Sequence, residues 1–142
     1  MTDIKLFLLV LLLHFIADFN LQLGAGLDKF KSVDWWRKVT GETIWGTADE
    51  QFRKYKHDYK VAMAIHSVVW VLVTFAPCIW LCTSTKAMLS ILAVNAVAHY
   101  YIDNLKANRY RLNLVQDQIL HLLQVGASFF AFRFCGGTML VT

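Results

Sequence analysis

Four histidines and three aspartates in this chain fall at intervals that can bring them together. His14 and Asp18 are four residues apart, as are His99 and Asp103, and Asp117 and His121 repeat the spacing in reverse order. On a helix, residues four apart stand on one face, one turn above the other. His66 lies in an uncharged run of 22 residues, 61–82. Imidazole and carboxylate together suit Zn²⁺ first, and Mn²⁺ or iron next. Seven such groups exceed one tetrahedral site. They fit two divalent ions sharing a bridging carboxylate, or one ion with the remaining groups as hydrogen-bonded support.

The reaction this set suggests is hydrolysis. Metal ligation by His14, Asp18, His66, His99, Asp103, Asp117 and His121 would lower the pKa of a bound water and polarise a scissile group. Asp18 or Asp117 is then the candidate general base. Lys106 follows Asp103 by three residues on the same face, where it can hold an anionic leaving group or phosphoryl oxygen. Arg109 and Arg111 read better as plain surface charge. Gln22, Asn104 and Gln118 are candidate hydrogen-bond partners for the ligands. A lone histidine on an apolar helix is more often a packing group; three same-face pairs together favour a metal site over a metal-free polar network or proton relay.

These residues must be carried by helices. The chain has 142 residues, 57% hydrophobic and only 17% charged, with one Pro, and its mean hydropathy is +0.45. A domain this small buries too little of its chain to hide so much apolar surface. The composition therefore predicts an all-α polytopic membrane protein, a single domain built as a four-helix transmembrane bundle. The expected spans are about 4–23, 61–82, 86–105 and 115–135, with a helical cytoplasmic or interfacial loop at about 24–60. Strictly uncharged runs are shorter in the first span (6–17) and the fourth (119–132). The first also resembles a signal peptide in its opening Lys5 and LFLLVLLL, but no small-x-small cleavage site follows.

Four spans put two loops on one side. Residues 24–60 hold eight Lys/Arg and the turn after Lys106 adds Arg109 and Arg111, against Lys5, Lys86 and Arg133 opposite. The positive-inside rule makes those loops cytoplasmic, with both termini outside a bacterial inner membrane. All seven His/Asp groups then fall at the cytoplasmic ends of their helices. The net charge of +4 points to a lipid bilayer rather than nucleic acid. Leu27, Phe30, Trp35, Trp36 and Val39, interleaved with Lys29, Lys31, Arg37 and Lys38, suggest an interfacial helix. Thr47 and Glu50 fit a capping box. Cys78, Cys82 and Cys135 form no zinc pattern; buried thiols are favoured over a link from Cys135 to either of the others.

The residues around these pairs resemble a known family. His14-Phe-Ile-Ala-Asp18-Phe-Asn-Leu-Gln22, His66, His99-Tyr-Tyr-Ile-Asp103-Asn-Leu-Lys106 and Asp117-Gln118-Ile-Leu-His121 are similar, in order, to the elements of small bacterial and phage membrane proteins catalogued as domain of unknown function 3307. The loop with Trp35, Trp36 and Trp45 is outside that pattern. The resemblance implies a phage-encoded or bacterial membrane protein and supplies no activity. A looser likeness to membrane-bound metal-dependent hydrolases implies a hydrolytic centre.

The expectation is thus a membrane-embedded metal-dependent hydrolase holding one or two divalent ions. It would act on an anionic small molecule or lipid, a phosphoester such as a nucleotide or lipid headgroup, and could form a homo-oligomer. The alternatives are a transport or proton-relay protein, and a non-enzymatic phage factor in exclusion or lysis.

Overall fold

A computed structural model of the chain describes residues 2–20, 28–41, 53 and 55–135. Helix α1 (Asp3–Phe15) runs into a π-helical turn (Ile16–Asn20). A 3₁₀ turn (Asp28–Lys31) leads to α2 (Val33–Gly41). Then come α3 (Asp58–Thr74), the short α4 (Ala76–Trp80), α5 (Thr85–Ala107) and α6 (Leu114–Cys135). No β-strand occurs among these elements. The all-α expectation and four of its main helical stretches are therefore present.

The helix boundaries have local causes. Pro77 opens α4 and ends the α-helical run at Thr74, because its ring removes a backbone donor and crowds the preceding turn. The Ser84 hydroxyl accepts from Ala87 N at 3.4 Å to cap α5. At α6, Asn113 Oδ1 accepts from Gln116 N at 2.9 Å while Gln116 Oε1 accepts from Asn113 N at 3.0 Å, a reciprocal capping box. The box expected at Thr47–Glu50 lies outside the described residues, as do Gln22, Leu27 and Trp45.

The transmembrane bundle is not what forms. No helix among the described residues is long and apolar enough to cross a membrane. The first expected span breaks into 13 α-helical residues and a π turn. The second stops after 17 residues, about 26 Å of helix against a hydrocarbon core of roughly 30 Å. Helices α5 and α6 are long enough, at 23 and 22 residues. Their apolar content is diluted by Ser90, Asn95, His99, Asp103, Asn104 and Lys106 in one and Gln116, Asp117, Gln118, His121, Gln124 and Arg133 in the other. The four spans, the inner-membrane location and the outward termini are overturned together, since the charge-based orientation presupposed the spans. Over the stretch expected as an interfacial helix, a 3₁₀ turn (Asp28–Lys31) and α2 form. Phe30, Trp35 and Trp36 pack on one another, with centroids 4.6 Å and 4.9 Å apart along the chain of rings, and Trp36 Nε1 donates to Phe30 O.

Helix α5 is the centre of the fold. It packs against α3 on one side and α6 on the other, and α1 closes the ring by touching both α3 and α6. One end of the interior is apolar, filled by Leu6, Val10, Val71, Phe75, Cys78, Met88, Val125 and Phe132. Arg133 Nη2 pairs with Asp3 Oδ2 at 2.9 Å there. Midway, Asn95 is buried and accepts from Gln124 Nε2 and Ser128 Oγ, joining α5 to α6. The opposite end is polar, and the ionisable groups gather in it.

Candidate metal centre

Each of the main helices delivers its groups to this polar end. His14, His99 and His121 are fully buried, and Asp103 and Asp117 nearly so. Three sets of ligand atoms lie within 4.8 Å of one another: Asp18, His66 and His99; His99, Asp103 and His121; Asp18, Asp117 and His121. Six of the seven sequence-predicted ligands are thus assembled. These buried His/Asp groups could hold a metal ion.

Asp103 is the hinge of the arrangement, because its two oxygens face different partners. Oδ2 lies 3.4 Å from His66 Nε2 and 3.7 Å from His99 Nε2, and those two nitrogens are 2.9 Å apart. Oδ1 lies 3.3 Å from His121 Nε2, which is 3.5 Å from Asp117 Oδ1. Two ligands at zinc-like bond lengths on a tetrahedron sit about 3.3 Å from each other, so the separations of 3.3–3.7 Å are compatible with a shared ion, while the 2.9 Å between His66 and His99 is also a hydrogen-bond distance. The i, i+4 pairs alone would not produce this; the crossing of α5 with α3 and α6 does.

His14 departs from the set. Its Nδ1 accepts from the indole Nε1 of Trp70 at 3.2 Å, which leaves the ring proton on Nε2 in the neutral form. It belongs to none of the three ligand sets. A nitrogen that carries a proton is a donor and not a ligand, so the geometry makes His14 a flanking group.

Unsatisfied atoms mark the same place. Among the described residues, four buried side-chain polar atoms have no hydrogen-bond partner: His14 Nε2, Asp117 Oδ1, Gln118 Oε1 and Thr74 Oγ1. The first three belong to residues of this cluster. Buried polar atoms are rarely left unpaired, and such orphans point to a missing ion or ordered water. Asp117 Oδ1 and Gln118 Oε1, both acceptors, fit a cation together with the donor set; His14 Nε2, which carries its proton, does not.

The electrostatics are strongly coupled. Burial disfavours the charged form of His99 and holds its pKa well below the ordinary value, despite Asp103 nearby. Burial acts on His121 likewise, but its hydrogen bond to Asp103 and the carboxylate of Asp117 beside it outweigh that and raise its pKa to about 9. Burial pushes the Asp103 carboxyl up, yet the His121 hydrogen bond and the charges of His99, Lys31 and His66 win and leave it well below the usual range. Asp117 is lowered by the same balance, with His121 and Lys106 opposing burial.

Lys106 Nζ bonds Asp117 Oδ2 at 2.7 Å, so it reaches across to α6 rather than along its own helix to Asp103. Gln118 Nε2 donates to Asp18 Oδ2 at 2.7 Å and to Asp117 Oδ2 at 3.2 Å, the supporting role expected of it. Asn104 instead accepts from Asn108. Arg109, Arg111 and His57 are exposed. The three cysteines are free thiols: Cys78 buried, Cys82 intermediate, Cys135 exposed.

Lys31, the turn that carries Asn108 and Tyr110, and Trp70 escaped the sequence reading. Lys31 Nζ donates to Asp103 Oδ2 at 2.7 Å with both side chains buried. Asn108 holds Lys31 there: its Oδ1 accepts from Val33 N and its Nδ2 donates to Lys31 O. Tyr110, in the left-handed backbone region at φ 52°, adds a hydrogen bond from its hydroxyl to Asp34. Trp70 is the third, with its ring stacked on His99 at 4.0 Å. It lies four residues after His66, the same spacing that exposed the His/Asp pairs. Lys31 carries no such signal, being 72 residues from its partner.

No family model matches the chain, and neither curated proteins nor solved structures offer a match. Nothing in these comparisons ties it to a phage.

Proposed function

We propose that the protein is a metal-dependent hydrolase acting on a phosphoester. The observation that carries this is the division of Asp103 between two imidazole groups, Oδ2 toward His66 and His99 and Oδ1 toward His121. It supports two divalent ions bridged by Asp103, with zinc the first choice for an imidazole-rich set. Bound ions supply a water of near-neutral acidity and Lewis-acid contact to the scissile group.

The chain's own residues do the rest. Asp18, less buried than Asp117 and oriented by Gln118, accepts the proton of the attacking water. The His14 Nε2 proton is available to a developing negative charge. Lys106, on the rim at 38% side-chain exposure, steadies a phosphoryl oxygen or the leaving group. Trp70 screens the imidazoles from water.

The test is metal content by plasma mass spectrometry on the purified protein, beside hydrolysis of p-nitrophenyl phosphate and its diester. The expected result is about one or two equivalents of metal, with turnover abolished by chelation and by Asp103→Asn. Folded protein that takes up no Zn²⁺, Mn²⁺ or Fe²⁺ overturns the reading.

One observation favours a second reading. His66, His99, His121 and Asp103 form a continuous chain of ring nitrogens and carboxylate at 2.9, 3.1 and 3.3 Å, which could pass a proton without any metal. The same metal measurement separates the two.

A further inference from the structure

Beside the His/Asp cluster lies a hollow of about 200 Å³ lined by Lys29, Lys31, Ser32, Asp103, Lys106 and Ala107. Three lysines thus line a space whose one acidic wall is Asp103. Two of them are engaged with the candidate ligands themselves. Lys31 holds Asp103 Oδ2 and Lys106 holds Asp117 Oδ2, each at 2.7 Å. The third, Lys29, rests over the rings of Phe30 and Trp35 at 5.5 and 5.7 Å.

A divalent ion on Asp103 Oδ2 would compete with Lys31 for that oxygen, whereas Asp117 offers Oδ1 and leaves Oδ2 to Lys106. Lys31 is 6% exposed, and a buried ammonium displaced from its carboxylate gains from an anion close by. Asn108 anchors its backbone, so the side chain can turn into the hollow but the segment cannot simply leave. The hollow beside it offers space for an anion, with Lys29, Ser32 and Lys106 in its lining.

We infer that this hollow is a phosphate subsite loaded together with the metal: the ion takes Asp103, and the displaced Lys31 joins Lys29, Ser32 and Lys106 around a phosphoryl group. The inference rests on the metal reading above and extends it to the substrate. Its volume lies below that of most small-molecule sites, roughly 300–1,000 Å³, so it accepts a terminal phosphoryl group and leaves the remainder of the ester outside. The substrate class is a phosphomonoester. Metal and anion must then bind with positive, reciprocal coupling.

The experiment is isothermal titration of inorganic phosphate into the full chain, once desalted after metal loading and once stripped with a chelator, with metal content read on both samples. Metal is expected to tighten phosphate binding about tenfold or more, within the usual range of coupling between sites. In loaded protein, Lys29→Gln is expected to weaken phosphate about threefold or more at unchanged metal content, and Lys31→Gln more strongly, because charge-assisted contacts are lost. Lys29 is exposed, so its variant keeps the test valid should Lys31→Gln fail to fold. Titrations with AMP and with a short-chain phosphatidic acid then distinguish a nucleotide from a lipid as the source of the group.

Protein that takes up no metal overturns both the metal reading and this inference. Protein that takes up metal but binds phosphate equally with and without it overturns the inference alone. So does metal-dependent phosphate binding that is indifferent to both lysine substitutions, which would assign the anion to the ion alone.

Discussion

Trp70 holds two histidines at once: its indole ring stacks on His99, with ring planes 16° apart and centroids at 4.0 Å, and its Nε1 donates to His14 Nδ1 at 3.2 Å. One side chain therefore fixes the plane of a candidate ligand and the tautomer of the group beside it. Outer partners of this kind are worth about 10–100-fold in metal affinity. Trp70→Leu removes both the ring stacked on His99 and the N–H. It is expected to leave the helical circular dichroism intact and to weaken zinc about tenfold in competition with a chromophoric chelator.

The divided carboxylate of Asp103 gives the metal stoichiometry a residue-level test. Asp103→Asn retains the shape but loses the charge that both ligand groups share, so all bound metal should be lost. His66→Ala removes a ligand on the Oδ2 side only, and about one equivalent should remain with His121, Asp117 and Asp103 Oδ1. Plasma mass spectrometry on the two variants reads the difference. Equal loss in both would argue for a single ion.

Much of this centre was legible because helices convert sequence spacing into direction. The pairs His99/Asp103 and Asp117/His121 share faces by four-residue periodicity, and one crossing of α5 with α6 is enough to join them. The capping of α6 by Asn113 and Gln116 follows the same local logic. What spacing cannot encode is contact across the chain. Lys31 meets Asp103 only because Asn108 and Tyr110, in the turn after α5, fasten the segment before α2. The tautomer that removes His14 from the ligands likewise depends on a tryptophan 56 residues away.

The membrane reading failed for a different reason. It took uncharged length as helix length. Residues 61–82 contain no charge, yet Pro77 and the break at Phe75 divide them; residues 4–23 are divided by the π turn that carries Asp18. A π turn has no sequence signature comparable to proline, though such turns collect at functional sites.

Cysteine reactivity should follow burial. Burial pushes the Cys78 thiol up to about 12, with Cys82 adding to it, and the thiolate is the reactive form. At pH 8 Cys78 should resist iodoacetamide in the native protein and react only on unfolding. Cys135 is exposed and should be alkylated first, followed by the intermediate Cys82. Peptide mass spectrometry over a time course reads the order, and early modification of Cys78 would mean that the α1–α4 packing opens readily.

The Lys31–Asp103 pair should be expendable only when something replaces it. Removing one member of a buried ion pair strands the other and costs about 3–5 kcal/mol. In metal-free protein, Lys31→Met should therefore lower the urea midpoint sharply, while Lys31→Met with Asp103→Asn should recover much of the loss, since neither charge remains. Added Zn²⁺ should rescue the single variant, as a cation on Asp103 supplies the charge the lysine gave, and should not rescue the double variant, which has lost the ligand. Urea unfolding of the four combinations, with and without Zn²⁺, measures this coupling. Rescue of both variants alike would mean that the ion binds away from Asp103.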